Sequence, residues 1–338
     1  MLLTDVIIGL QHGDEGKGKI AYNILKRGKY SYCIRFNGGP NAGHSIKDKE
    51  KNIDIVLHQV PCGVLFGITS IIGSGCVVDL LKLQTELEYL ENKGFSDIRT
   101  HLFLAFNAHV IGRQHIMLDN DSIIGTTGSG IGPCYSDKCK RIGKRCIDFQ
   151  KTIESMKLQL INPLSYFASL PSHVKYEVLC EGAQGFSLDI DWGDYPYCTS
   201  SSCIASCIST SGIPYKSIRC VYGCCKLYDT YVGNKDFQPK NNELLETLAE
   251  AGQEFGSTTG RKRQCNWLDI DTLKQAIFIN GCTHVIANKC DIIEKSGAFV
   301  IDGKKFNTFQ DMKNCFEKHV HSVAKDIQIL YSYSPYVI

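Results

Sequence analysis

One segment near the N-terminus constrains this chain more than any other. Leu3–Leu10 is a short apolar run rich in Val and Ile, and it feeds into Gly13-Asp14-Glu15-Gly16-Lys17-Gly18-Lys19, followed by a helical pattern from about Gly18 to Arg27. Strand, glycine loop and helix in that order make a phosphate-binding turn, because backbone N–H groups at a helix N-terminus can wrap anionic oxygens. Gly13 to Gly18-Lys19 keeps the G-x-x-x-x-G-K spacing. Its last position departs from that pattern. Ile20 stands where Ser or Thr would hold magnesium, so the ion must be held by another group, and Asp14 is the carboxylate inside the loop.

A second signal lies far along the chain. The apolar run Thr283–Ala287 ends in Asn288-Lys289-Cys290-Asp291, an N-K-x-D placed directly after a strand. A carboxylate there can accept both N1–H and the exocyclic N2–H of guanine, a donor pair that adenine lacks. Between the two lie further polar loops. Ser257-Thr258-Thr259-Gly260-Arg261-Lys262-Arg263 sets hydroxyls beside three cations, a composition suited to carboxylates, and Gly125–Pro133 is a hydroxyl and glycine loop able to donate to phosphate.

Strand-like and helix-like segments alternate through much of the sequence. The strand candidates after the first are Tyr32–Phe36, Ser70–Ile72, Leu102–Phe106, Glu177–Leu179, Ile218–Tyr222 and Thr283–Ala287, and helical periodicity falls at Asp79–Lys93, Glu243–Ala251 and Thr308–Lys325. The expected fold is α/β, a mainly parallel central sheet with flanking helices. With no linker or repeat in sight, all 338 residues read as one domain with smaller appended lobes.

Lys+Arg 37 against Asp+Glu 35 leaves a formal charge of +2, which offers nothing to a nucleic acid or an anionic membrane. No apolar run reaches the roughly 18 residues of a membrane span, and Asp5 interrupts the first eight residues, so a cytoplasmic protein is expected. The 17 cysteines show no C-x-x-C pair and read as small, reduced, apolar residues.

Taken together, the motifs resemble the adenylosuccinate synthetase family. The resemblance runs in order through Gln11–Lys19, Asn41-Ala42-Gly43-His44, Gly125–Pro133, Glu181-Gly182-Ala183-Gln184-Gly185, Thr199-Ser200-Ser201, Thr258-Thr259-Gly260-Arg261 and Asn288–Asp291. It implies a two-step ligation in which GTP phosphorylates the 6-oxygen of a purine nucleotide and the amine of L-aspartate then displaces that phosphate. By this resemblance Asp14 is the general base at N1, His44 the acid beside the departing β-phosphate, and Lys17 a contact to the transferred phosphoryl group. Gly13, Gly16, Gly18, Asn288, Lys289 and Asp291 would bind GTP, and Mg2+ would be held by Asp14 and the carbonyl of Gly43. Asn41, Thr127, Gln184, Thr199 and Arg261 would line the purine nucleotide pocket, and Thr258, Thr259, Arg261 and Arg263 would meet aspartate. Arg141 matches an arginine lent to the neighbouring subunit's site, which implies a homodimer.

Some residues depart from the family pattern. His12 replaces the usual Trp, Tyr231 the usual Arg before Val-Gly, and Asn234-Lys235-Asp236-Phe237 the usual Gly-Pro-Phe-Pro. The length resembles the compact forms of archaea and some phages, among which some use IMP and some dGMP; retention of Asp14 favours IMP as the expected acceptor, with dGMP as the alternative. A GTP-binding switch protein is a more distant reading, disfavoured by Ile20 and by the loop ending in Arg263.

Overall fold

A computed structural model describes residues 1–120, 124–256 and 260–338. Nine strands form its central sheet: β1 (Leu2–Gly9), β2 (Tyr32–Arg35), β3 (Thr69–Ile72), β4 (Leu102–Ala105), β5 (Gln159–Ile161), β6 (Tyr176–Glu181), β7 (Ile218–Lys226), β8 (His284–Asn288) and β9 (Gln328–Tyr331). Their spatial order is β9-β8-β7-β1-β6-β2-β3-β4-β5, and every neighbouring pair is parallel.

The first strand shows why the apolar runs become buried strands. Val6, Ile7 and Ile8 are all fully buried, yet Val6 and Ile8 belong to one core cluster and Ile7 to another. Alternate side chains thus feed two cores, one on each face, and a strand covered on both faces reads as a continuous apolar run. All seven predicted strands enter this sheet. The two that the sequence does not announce, β5 and β9, are its edges, and each carries exposed residues. Pairing on one side only leaves an edge strand without the continuous burial that marks a central one.

The predicted helices also form, as α1 (Lys17–Leu25), Leu80–Asn92, Glu243–Gly252 and Phe309–Val323. Asp79, Asn242 and Thr308 cap the last three with side-chain acceptors, which satisfies otherwise unpaired N–H groups. A helix over Ile131–Lys140 was not anticipated; it starts inside the predicted Gly125–Pro133 loop, where Gly130 takes a left-handed φ of 75° as its N-cap.

The chain's path decides where a site can lie. After β1 it moves outward through β2 to β5, returns to insert β6 between β1 and β2, and continues on the other side through β7, β8 and β9. The direction reverses around β1, and loops leaving the carboxyl ends of strands on either side open a crevice there. No helix among the described residues is long and apolar enough to cross a membrane. The 17 cysteines are unpaired and most are buried, in keeping with their reading as small apolar residues.

Away from that crevice, His109 is buried where His109–Val110 pairs with Val77–Val78. Burial, then Lys138 and Arg145, pushes its pKa down to about 4. An unfolded histidine takes up a proton near pH 6.5 that the folded one refuses, so this group removes stability as pH falls from about 6.5 to about 4. The loss over that window is up to about 3 kcal/mol. His109→Gln should flatten this part of the curve of Tm against pH; an unchanged slope would show that His109 is not the group responsible.

Candidate active site

Residues that end β1, β2, β6, β7 and β8 meet at the crevice. In the loop after β1, Gly13, Asp14 and Gly16 all take positive φ, 89°, 60° and 83°. For Asp14 that conformation costs about 1 kcal/mol. Fully buried Glu15 holds the turn: its Oε1 accepts from the N–H groups of Gln11 (3.1 Å) and Gly13 (2.9 Å), and its Oε2 accepts from Lys17 Nζ at 2.5 Å. Gly18 permits a close approach, since an added Cβ would lie 2.9 Å from the backbone of His44.

The two distant sequence signals are joined directly. Asn288 Nδ2 donates to the carbonyl of Glu15 at 2.7 Å, so the N-K-x-D loop is fastened to the phosphate loop. Lys289, left-handed at φ 59°, donates to the carbonyl of Gly252 (3.2 Å) and to Glu254 Oε1 (2.6 Å). Asp291 is the partly exposed acid of the motif, 3.6 Å from Lys295.

A cavity of about 150 Å³ brings together Gly13, Asp14, Lys17, Asn41, Gly43, His44, Thr127 and Gln184. Next to it a cavity of about 390 Å³ shares Asn41, Thr127 and Gln184 and adds Thr199. Gln184 takes a positive φ of 56°, and its Oε1 is buried with no hydrogen-bond partner among the described residues.

His44 stands at the start of a hairpin, His44–Asp48 with Ile53–Leu57. Its Nδ1 lies 3.2 Å from Glu181 Oε1 and 3.3 Å from the Arg35 guanidinium. Its Nε2 is buried and has no hydrogen-bond partner among the described residues. Burial first and the Arg35 charge second push its pKa down to about 4, so the ring is neutral at neutral pH. An anion at Nε2 would oppose both effects and favour the imidazolium, with Glu181 taking the Nδ1 proton as hydrogen-bond acceptor.

Arg263 contacts Asp14 itself, with Nε 2.8 Å from Oδ2, while its other arm donates to buried Glu254 at 2.5 Å. The expected base and the expected substrate clamp are therefore partners in this structure. Arg261 donates to the carbonyls of Gly125 (3.1 Å) and Thr126 (3.2 Å), tying its loop to the hydroxyl and glycine loop. Exposed Arg141 ends the Ile131–Lys140 helix at φ 66° and does not line either cavity. Thr258 and Thr259 lie outside the described residues.

Four residues with clear geometric roles were not among the sequence candidates: Glu15, Arg35, Glu181 and Glu254. Arg35 and Glu181 carried a usable signal, because each is the charged residue at the carboxyl end of its strand and Glu181 also opens the block Glu181–Gly185. Glu15 lay inside the glycine loop but was given no role there, and Glu254 gave no signal.

A phosphate loop, a carboxylate and an imidazole around one cavity, at the carboxyl ends of parallel strands, define a nucleotide-binding α/β enzyme. The adenylosuccinate synthetase family model matches residues 6–175 and 157–328. The adenylosuccinate synthetase of Chlorobium chlorochromatii is 37% identical over 91% of this chain and 82% of its own length, and that of Helicobacter hepaticus is 37% identical over 86% and 80%. The fully ligated adenylosuccinate synthetase of Plasmodium falciparum superposes with a TM-score of 0.80 at 29% identity, over 98% of this chain and 97% of that one. A cyanophage succinoaminodeoxyadenylate synthetase bound to dGMP and dATP gives a TM-score of 0.73 at 19% identity, over 99% and 94%, a likeness of fold alone. This chain belongs to the adenylosuccinate synthetase family, which makes it a carbon–nitrogen ligase.

Proposed function

We propose that this enzyme joins L-aspartate to C6 of IMP at the expense of GTP, giving adenylosuccinate, GDP and phosphate. The observation that carries the reading is the gathering of Asp14, Lys17 and His44 around one cavity, with Arg263 against Asp14. Asp14 takes the N1 proton of the purine, and O6 then attacks the γ-phosphorus as the bond to the β-phosphate oxygen breaks. His44, through Nε2, and Lys17 stabilise the charge gathering on the phosphates. The aspartate amine next forms the bond to C6, and phosphate leaves with O6. Arg263 presents donors to a substrate carboxylate, and Asn41, Thr127, Gln184 and Thr199 line the acceptor's pocket.

The donor set of Asp14 and the Gly43 carbonyl is all oxygen and shares the cavity with Lys17, which fits magnesium bound mainly through phosphate oxygens and water. When bound, the ion supplies neutralisation of phosphate charge.

The acceptor is tested by offering IMP, GMP and dGMP in turn with GTP and aspartate, and identifying the succinylated product. IMP should give adenylosuccinate; a product from dGMP alone would move the assignment to the alternative, and phosphate release that ignores aspartate would favour a switch protein. His12 and Tyr231 also line the cavity, so the departures from the family pattern stand where they can affect this choice.

For the donor, Asp291→Asn should raise the KM for GTP by about a hundredfold or more and spare that for aspartate, because a site built to pair a hydrogen-bonding edge loses heavily when one partner is removed. Equal use of ATP and GTP by the native enzyme would remove the basis for this expectation.

A homodimer is supported by exposed Met117, Leu118 and Ile142, apolar residues on or beside the helix that Arg141 ends. Arg141→Leu and Asp14→Asn, each inactive alone, should recover activity when mixed and allowed to exchange subunits, since one hybrid site then has both residues intact. Unpaired thiols support a reducing, cytoplasmic setting.

A further inference from the structure

Glu254 is 1% exposed and stands between the two ends of the site. Its Oε1 accepts from Lys289 Nζ at 2.6 Å and from the Tyr228 hydroxyl, and its Oε2 accepts from Arg263 NH1 at 2.5 Å. Arg263 then reaches Asp14 at 2.8 Å. An unbroken line of charged contacts, Lys289–Glu254–Arg263–Asp14, thus joins the loop after β8 to the phosphate loop after β1. Lys289 also donates to the carbonyl of Gly252, which pins the chain two residues before Glu254. Lys226, fully buried and bonded to Thr230, adds a further positive charge nearby. Lys226, Lys289 and Arg263 together keep the Glu254 carboxyl well below its ordinary range, whereas burial lowers the Lys289 pKa.

We propose that Glu254 is a positioning residue that couples the donor-nucleotide end of the site to the aspartate end. The proposal rests on the reading of the reaction given above. Arg263 and Lys289 share one buried carboxylate, each donating to a different oxygen of it. A donor nucleotide that settles the N-K-x-D loop fixes Lys289, and through the two oxygens of Glu254 this fixes Arg263. The clamp is then in place before aspartate arrives, so the ordering cost of aspartate binding falls. Linkage requires the converse, that aspartate tightens the nucleotide by the same factor.

The test is a pair of calorimetric titrations with L-aspartate, into enzyme alone and into enzyme saturated with magnesium and a non-hydrolysable GTP analogue. The native enzyme should bind aspartate about tenfold more tightly with the analogue present. In Glu254→Gln this ratio should fall to about one. A merely structural role would lower Tm and overall activity yet leave the ratio where it was, and that result, like a ratio of one in the native enzyme, overturns the proposal. Should Glu254→Gln not fold, Tyr228→Phe decides, since it removes one of the bonds that orient Oε1 and leaves the charge in place. Its ratio should drop to about threefold, and an unchanged ratio overturns the proposal equally. Failure of the underlying reading looks different: the native enzyme would then form no succinylated product from any 6-oxopurine nucleotide, whatever its coupling.

Discussion

Asp14→Asn should lower kcat by about 10³–10⁴-fold, the upper part of what a positioned general base contributes, while the affinity for GTP changes little. The amide keeps the size of the side chain and can still meet Arg263, but it cannot take the N1 proton. The geometry sharpens the expectation. In the structure Arg263 stands 2.8 Å from the Asp14 carboxylate, which lines the same cavity as Lys17 and His44. The check is a single-turnover measurement of phosphoryl transfer beside an independent GTP-binding curve. Near-native turnover in the variant would move the base elsewhere; lost GTP affinity would mean that Asp14 acts chiefly in binding.

The second large effect belongs to Arg263 itself. Arg263→Leu should raise the KM for aspartate by about a hundredfold or more and change the KM for GTP by only a few-fold, because truncating one partner of a buried, hydrogen-bonded charge pair costs about 2–5 kcal/mol. Two consequences act together: the substrate carboxylate loses its paired donors, and Glu254 loses one of its cations. Lysine should not restore the site, since one ammonium cannot meet Glu254 and Asp14 from opposite sides as a planar guanidinium does. Steady-state kinetics with each substrate varied in turn would decide. Equal effects on both Michaelis constants would show that the residue supports the site as a whole.

Much of this molecule was legible before any coordinates. The apolar runs leading to Gly13 and to Asn288 marked β1 and β8, and the central strands followed from burial on both faces, which demands uninterrupted Val, Ile and Leu. The phosphate loop was readable because a tight turn and close backbone approach need glycine at set spacings. Short edge strands such as Gln159–Ile161 and Gln328–Tyr331 left no such mark, since little of them is buried.

Sequence was enough to mark the central strands, four of the longer helices though not Ile131–Lys140, and the chemical groups the site could draw on: a carboxylate in a glycine loop, an imidazole after a second strand, and a cationic loop. Only the tertiary structure decided which group meets which. That Glu181 takes Nδ1 of His44 across 137 positions, or that Glu254 ties Lys289 to Arg263, depends on how the chain returns to insert β6 beside β1 and carries β7 and β8 to the other side. A charged side chain shows in sequence only its own sign and reach, whereas its partner and its proton affinity are set by whatever the fold buries beside it.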